Sequence, residues 1–353
     1  MKFVFIPQSC LPFHARTLDE RPLGGIETAV IRLSAALDEL GHDVTVLTAL
    51  ENPPLSLPLY LPFRAFHDLG PTDVLIAVRD WQSVLLPLEA KKRCYWTGDS
   101  YTQPQCVGIG DKRVARSIDH FCPVSQWHGR TVCEYSGFPP EKIYVLRNGI
   151  HPEYFAGSEP RVRKRLIFSS TPYRGLKFVP NLVRELKRKH EDLELRVFSG
   201  YGVYAGSPPP TEALEEYERL ELEFRSIAGC QVYGSIKQEL LAREFMSASI
   251  LFYPNTFEET SCITALEAQA AGCAIVTSDR GALRETVGDA GVLIPGEPDS
   301  EAYQREFLNA ADKLLSDDDF FARLSQAGLR RAKEFSWQHI AQQFVSFMQG
   351  PGR

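Results

Sequence analysis

Short apolar runs alternate with amphipathic stretches along this chain, and the alternation starts afresh after Asn148-Gly149. Residues 2–6, 43–47, 74–78, 93–96 and 120–124 read as strands in the first round. In the second round residues 166–169, 195–199, 231–233, 250–253, 274–277 and 292–294 do so. Between them lie helical stretches closed by glycine, such as the one with Ile26, Val30, Leu33, Leu37 and Leu40 on one stripe before Gly41. Further helices are expected over 176–190 and 237–248. Strand, helix and glycine turn in this order predict parallel sheets with helices on both faces.

A chain of 353 residues exceeds one ordinary core, which favours two domains of about 150–200 residues. The boundary is expected at 155, in a stretch where glycine, proline and charge cluster without a period. This gives 1–155 and 156–336, with a last amphipathic helix over about 337–353 that carries Ile340, Phe344 and Phe347 and packs back on the first domain.

The net charge of −6 argues against a broad nucleic-acid surface. No apolar run approaches the roughly 20 residues of a membrane span, and Phe3-Val4-Phe5-Ile6 is too short for a secretory leader. The eight cysteines form no CxxC pair, so reduced thiols and a cytoplasmic setting are expected.

Ligands of such sheets bind beyond the carboxyl ends of the strands. Glu259 and Glu267 lie there, eight residues apart across a loop-to-helix junction after the 250–253 strand. Eight helical residues span about 12 Å, a distance that an extended polyhydroxylated ligand such as a nucleotide sugar covers. The structural reading is that Thr264 and Glu267 form a capping box and that Glu259 answers a helix dipole.

Ser169-Ser170-Thr171-Pro172-Tyr173-Arg174-Gly175-Leu176-Lys177 follows the first strand of the second domain. Arginine grips phosphate oxygens in a fork; the alternative is a solvated turn. Gly24 and Gly25 open the first long helix, where free N–H groups can meet an anion or simply form a tight turn. Asp99, in the loop after the 93–96 strand, can orient a hydroxyl, accept a proton or cap a turn.

Asp317-Asp318-Asp319 fits a D-x-D metal pattern but reads as the acidic start of a helix. Arg184, Lys187, Arg188 and Lys189 read as a solvated helix face over inward Leu182, Val183 and Leu186.

Together these stretches resemble the retaining family 4 glycosyltransferases of the GT-B fold, an α/β fold of two Rossmann-like, doubly wound parallel-sheet domains facing across a cleft. The resemblance runs through Gly24-Gly25-Ile26-Glu27, Leu146-Arg147-Asn148-Gly149-Ile150, Tyr173-Arg174-Gly175, Phe252-Tyr253-Pro254, the E-x7-E element Glu259–Glu267, and Phe335-Ser336-Trp337. It is similar to enzymes of bacterial and cyanobacterial exopolysaccharide or envelope-polysaccharide assembly.

The resemblance implies hexosyl transfer from a UDP-sugar, UDP-glucose by default, to a saccharide or lipid-linked oligosaccharide. The configuration is kept, no metal or cofactor takes part, and peripheral contact with the inner membrane face is expected. Glu267 would bind the ribose hydroxyls, and Glu259 would face the donor sugar. Arg174 and Lys177 would neutralise the departing diphosphate beside Ser170. Amides of Ser261, Cys262 and Ile263 would hold phosphate or sugar oxygens, and the turn from Tyr233 to Ile236 would lie by the base.

Three departures from the family pattern stand out. Glu259-Thr260-Ser261-Cys262 replaces the frequent Glu-Gly-Phe-Gly and leaves the donor sugar open. Ser169 stands where a second arginine is common, and Gly98-Asp99 where a histidine is common. A nucleotide-sugar epimerase of the same architecture is the alternative. A non-catalytic binder would take up UDP without turnover, and the missing GxGxxG argues against a nicotinamide enzyme.

Overall fold

The structure is a computed structural model that describes the backbone of residues 1–204 and 209–350; residues 205–208 and 351–353, the last of which end the expected C-terminal helix, lie outside the described residues. The chain divides into two compact units. One comprises Met1–Glu20, Gly24–Gly149 and Phe335–Arg353, the other Arg21–Leu23 and Ile150–Glu334.

The first unit carries β1 (Lys2–Ile6), β2 (Asp43–Thr48), β3 (Leu59–Pro62), β4 (Thr72–Val78), β5 (Ala90–Thr97) and β6 (His120–Pro123). Their order is β3-β2-β1-β4-β5-β6, and every pairing is parallel. Phe3, Val4, Phe5 and Ile6 are wholly buried, as a central strand covered on both faces requires.

β3 was not expected from the sequence. Pro58 and Pro62 make its surroundings read as loop, but it is an edge strand, where proline breaks no inner ladder. On the helix Gly25–Glu39, Val30, Leu33 and Leu37 are buried while Leu40 is 36% exposed. Leu40 is the C-cap, already turning out of the helix before Gly41 at φ 82°.

The helix Trp337–Gln349 packs on the first unit. Ser336 Oγ caps it by accepting from His339 N at 3.2 Å. Phe344 lies against Phe3, with ring centroids 6.0 Å apart, and Phe347 stacks on Tyr144 at 4.0 Å. A Cβ on Gly149 would stand 2.7 Å from the Trp337 ring, so a bare backbone is needed where the indole seats.

The second unit holds β7 (Arg165–Ser169), β8 (Glu194–Phe198), β9 (Cys230–Val232), β10 (Ile250–Tyr253), β11 (Ala274–Ser278) and β12 (Gly291–Ile294). The order is β12-β11-β10-β7-β8-β9, again wholly parallel. The chain runs outward from β7 to β8 and β9, then returns to place β10 on the other side of β7. That reversal opens a crevice between the ends of β7 and β10.

The expected helix over 176–190 begins as a 3-10 turn, Leu176–Phe178, before the α-helix Val179–Lys187. Among the described residues no helix is long and apolar enough to cross a membrane.

Candidate active site

Two glycines interlock the loops at the β7–β10 crevice. Gly175 has φ 101°, and a Cβ there would sit 2.0 Å from the carbonyl oxygen of Pro254. Only glycine reaches that conformation with that clearance. Gly281, at φ 58°, would place a Cβ 2.5 Å from Glu259 O and 2.6 Å from Glu259 N. The next residue, Ala282, donates its N–H to Glu259 O at 2.6 Å. The loop from Pro254 to Cys262 is thus gripped from the β7 and the β11 sides.

This packing brings Arg174 and Glu259 together. Arg174 Nη1 donates to both oxygens of Glu259, at 2.8 and 3.0 Å. Tyr253 Oη donates to Glu259 Oε1 at 2.7 Å and lies 3.2 Å from Ser170 Oγ. The guanidinium also faces the Phe257 ring at 4.5 Å, a favourable cation–π geometry. Burial works against the charged form of Arg174, but the Glu259 carboxylate and the neighbouring tyrosines outweigh it and hold the guanidinium protonated.

Glu259 is only 3% exposed. Arg174 Nε and Thr171 Oγ1 beside it are buried without a hydrogen-bond partner. Unsatisfied buried polar atoms are costly, and here they cluster at a strand-end crevice, as a ligand site would have them.

Glu267 does not form the capping box. Its helix, Ile263–Ala270, has Cys262 at the N-cap and no side-chain cap, so Thr264 lies inside the first turn. Glu267 is instead 5% exposed, and Gln238 Nε2 donates to its Oε1 at 2.6 Å. Burial pushes its carboxyl up to about 7, against a smaller downward pull from Gln238.

Cys262 is buried close to both acids, and burial together with Glu259 keeps its thiol protonated. Its carbonyl accepts from Ala265 N and Leu266 N at 3.1 and 3.2 Å. Ser261 and Ile263 flank it, half-buried.

The remaining second-unit residues are more dispersed. Lys177 reaches over the Phe178 ring, 5.1 Å from its centroid. Tyr233 stacks on Phe198 at 4.9 Å and is 44% exposed. Ile236 packs against the core. Sequence reasoning missed Gln238 and Tyr253 Oη. Both follow from tertiary register, although Tyr253 ends a strand that was recognised.

In the first unit Gly24 is the N-cap of the Gly25–Glu39 helix, and a Cβ there would stand 2.6 Å from Glu27 Oε2. Glu27, 3% exposed, accepts from Leu11 N at 3.1 Å. Gly24 therefore clears room for a buried carboxylate that ties down the loop after β1.

Asp99 is 8% exposed and both its oxygens are engaged. Arg79 Nε and Nη2 each donate at 2.8 Å, and Thr97 Oγ1 donates at 2.6 Å. Arg79, at the end of β4, adopts φ 61°, a conformation rarely kept by a side-chain-bearing residue without outside constraint. His128 Nε2 lies 2.8 Å from Asp99 O, and burial pulls its imidazole down to about 4. That neutral ring donates to the Asp99 carbonyl and braces the loop. Nothing in the sequence marked Arg79, Thr97 or His128 as partners of Asp99.

The acidic triplet starts a helix. Asp317 Oδ1 accepts from Phe320 N at 2.8 Å, and Asp318 pairs with Arg163. Among the described residues no group of three or more His, Cys, Asp or Glu could hold a metal ion. The basic helix face is largely paired, Arg184 with Glu223 and Lys189 with Asp312.

Residues 163–317, most of the second unit, match the family model described as glycosyl transferases group 1. The chain belongs to the group 1 glycosyltransferases. One relative, the MMP alpha-(1->4)-mannosyltransferase of Mycolicibacterium hassiacum, is 31% identical over 67% of this chain and 55% of its own length. The D-inositol 3-phosphate glycosyltransferase of Stackebrandtia nassauensis is 35% identical over 71% of this chain and 58% of its own. The chain spans little more than half the length of these curated relatives. Anabaena HepE, solved in complex with UDP and glucose, superposes with a TM-score of 0.69 at 15% identity, covering 99% of this chain and 100% of that one. That likeness establishes the GT-B fold. None of the three is named an epimerase.

Proposed function

We propose that this chain is a retaining hexosyltransferase that takes its sugar from a UDP-sugar, UDP-glucose first among them. The acceptor is a saccharide or a lipid-linked oligosaccharide in exopolysaccharide or envelope-polysaccharide assembly, and the reaction runs in the cytoplasm or at the inner membrane face. The observation that carries this reading is the Arg174–Glu259 pair in the β7–β10 crevice. It sets a fixed cation and a buried acid where the ends of adjacent parallel strands expose a ligand.

Each residue then has a task. Arg174 stabilises the diphosphate as its negative charge grows on departure, the largest kind of catalytic contribution an electrostatic site can make. Ser170 and Lys177 lie on the same loop and turn and add donors to the phosphates. Glu259, oriented by Arg174 and Tyr253, faces the sugar hydroxyls. Glu267 in its carboxylate form accepts from the ribose hydroxyls, and the amides of 261–263 meet phosphate or sugar oxygens. Tyr233 and Ile236 border the base. In the first unit Asp99, with both oxygens engaged, orients an acceptor hydroxyl.

Two kinds of relative support the reading. The M. hassiacum and S. nassauensis proteins bear transferase names, and Anabaena HepE has also been solved in complex with UDP-glucose. The test is a screen of nucleotide sugars for release of UDP, GDP or ADP, with a panel of saccharide acceptors. Release of UDP from a UDP-hexose, slowed roughly 100-fold in Arg174→Ala, is the expected result. Isomerised nucleotide sugar with no release would replace transfer by epimerisation.

A further inference from the structure

Gln238 is the first residue of the helix Gln238–Ser247, and Lys237, its N-cap, offers no side-chain cap. The amide Nε2 reaches across to the helix that follows β10 and donates to Glu267 Oε1 at 2.6 Å. The other end of the same amide, Oε1, is buried and has no hydrogen-bond partner. One end of the amide is thus fixed by an acid and the other presents an unanswered acceptor in the same place.

A buried acceptor left empty costs stability, and so does a carboxylate moved out of water. Their juxtaposition is explained if a ligand with several hydroxyl or N–H donors completes both. Ser199 Oγ, just beyond β8, is a further buried polar atom without a partner. The strands β7, β8 and β9, side by side in the sheet, are thus each followed by a segment that carries such an atom: Thr171, Ser199 and Gln238.

We propose that Gln238 is a positioning residue for the nucleoside half of the donor: Nε2 fixes the Glu267 carboxylate toward the ribose hydroxyls, while Oε1 accepts a hydrogen bond from the nucleoside itself. This rests on the reading of Glu267 as the ribose acid. The titratable groups around Glu267 are the Cys262 thiol at the start of its own helix and, near that thiol, Glu259 and Arg174; the direct hydrogen bond to the acid comes from neutral Gln238. Removing that amide takes away a hydrogen bond that favours the carboxylate, so the protonated acid persists to higher pH.

The experiment is calorimetric titration of the full chain with UDP, GDP and ADP between pH 5.5 and 8.5, comparing the native protein with Gln238→Leu, Gln238→Asn and Glu267→Gln. The tightest nucleotide is then compared with its 2′,3′-dideoxy form. In the native protein affinity should rise with pH through the neutral range. In Gln238→Leu the midpoint should move upward, affinity at pH 8 should fall roughly tenfold, and the preference for ribose over dideoxyribose should shrink toward that of Glu267→Gln. Gln238→Asn, too short to reach, should behave like Gln238→Leu, and melting curves check that each variant is folded.

Unchanged affinity, midpoint and ribose preference in both Gln238 variants, with Glu267→Gln weakened, would overturn the role of Gln238 alone. An unaffected Glu267→Gln, or no nucleotide bound at all, would overturn the ribose reading and this inference with it.

Discussion

Arg174 donates from a single guanidinium nitrogen to both carboxylate oxygens of Glu259, at 2.8 and 3.0 Å. The cation assigned to a diphosphate is therefore already answered by an acid in the free protein. A nucleotide must compete with Glu259 for it. Replacing Glu259 by Gln removes that competitor, so UDP affinity should rise about three- to tenfold, a fraction of the 1.5–3 kcal/mol of a charge-assisted bond. Turnover should fall roughly 100-fold, because the group facing the sugar has lost its charge. Calorimetry paired with a UDP-release assay reads both numbers; weaker UDP binding would mean that Glu259 serves chiefly to hold Arg174 in place.

Arg174→Ala removes the charge itself. Negative charge on the leaving diphosphate grows toward the transition state, so kcat should drop roughly 100-fold while donor KM rises only a few-fold. Equal losses in the two would assign Arg174 to ground-state binding.

Glu267 predicts an inverse pH dependence of stability. Its folded carboxyl titrates at about 7 against an ordinary 4.5. Between those values the folded protein keeps a proton that the unfolded chain has released. The group costs nothing below 4.5, and its penalty grows as pH rises to 7, reaching roughly 3 kcal/mol above it. Glu267→Gln should therefore raise Tm by several degrees at pH 8 and hardly at all at pH 4.5, while weakening nucleotide binding. Identical Tm gains at both pH values would remove the acid as their source.

The strand ends and the two acids were legible because strand periodicity and glycine punctuation are local signals. Arg174 and Glu259 could be assigned to strand-end loops on that basis. Their contact could not, since it depends on β10 returning beside β7. Gln238 had no local signal at all, because it looks like an ordinary polar residue opening a helix. Asp99 was visible, whereas Arg79 and His128, which immobilise it, come from other elements. β3 was hidden by prolines that an edge strand tolerates and an inner strand would not.

Gly175→Ala drives a Cβ to 2.0 Å from Pro254 O at φ 101°. Overpacking and backbone strain together should cost about 2–4 kcal/mol and lower Tm accordingly. Gly157→Ala, where the nearest atom is Met246 Cε at 4.0 Å, is the control and should melt close to the native protein. Comparable Tm values for the two variants would show that the loops can separate freely.

Activity should survive EDTA. Asp317, the leading residue of the acidic triplet, is committed to capping its helix, and the proposed function assigns the diphosphate's counter-charge to Arg174. Loss of UDP release on chelation, restored by manganese, would call for a divalent ion bridging the donor phosphates.

The clasp of Gly175 against Pro254 makes the cationic turn and the acidic turn mechanically one piece. Neither can gain or lose a residue without dislodging its counterpart. Redesign of sugar preference is therefore confined to side-chain exchange at positions such as Thr260 and Ser261, with the length of both turns left as it is.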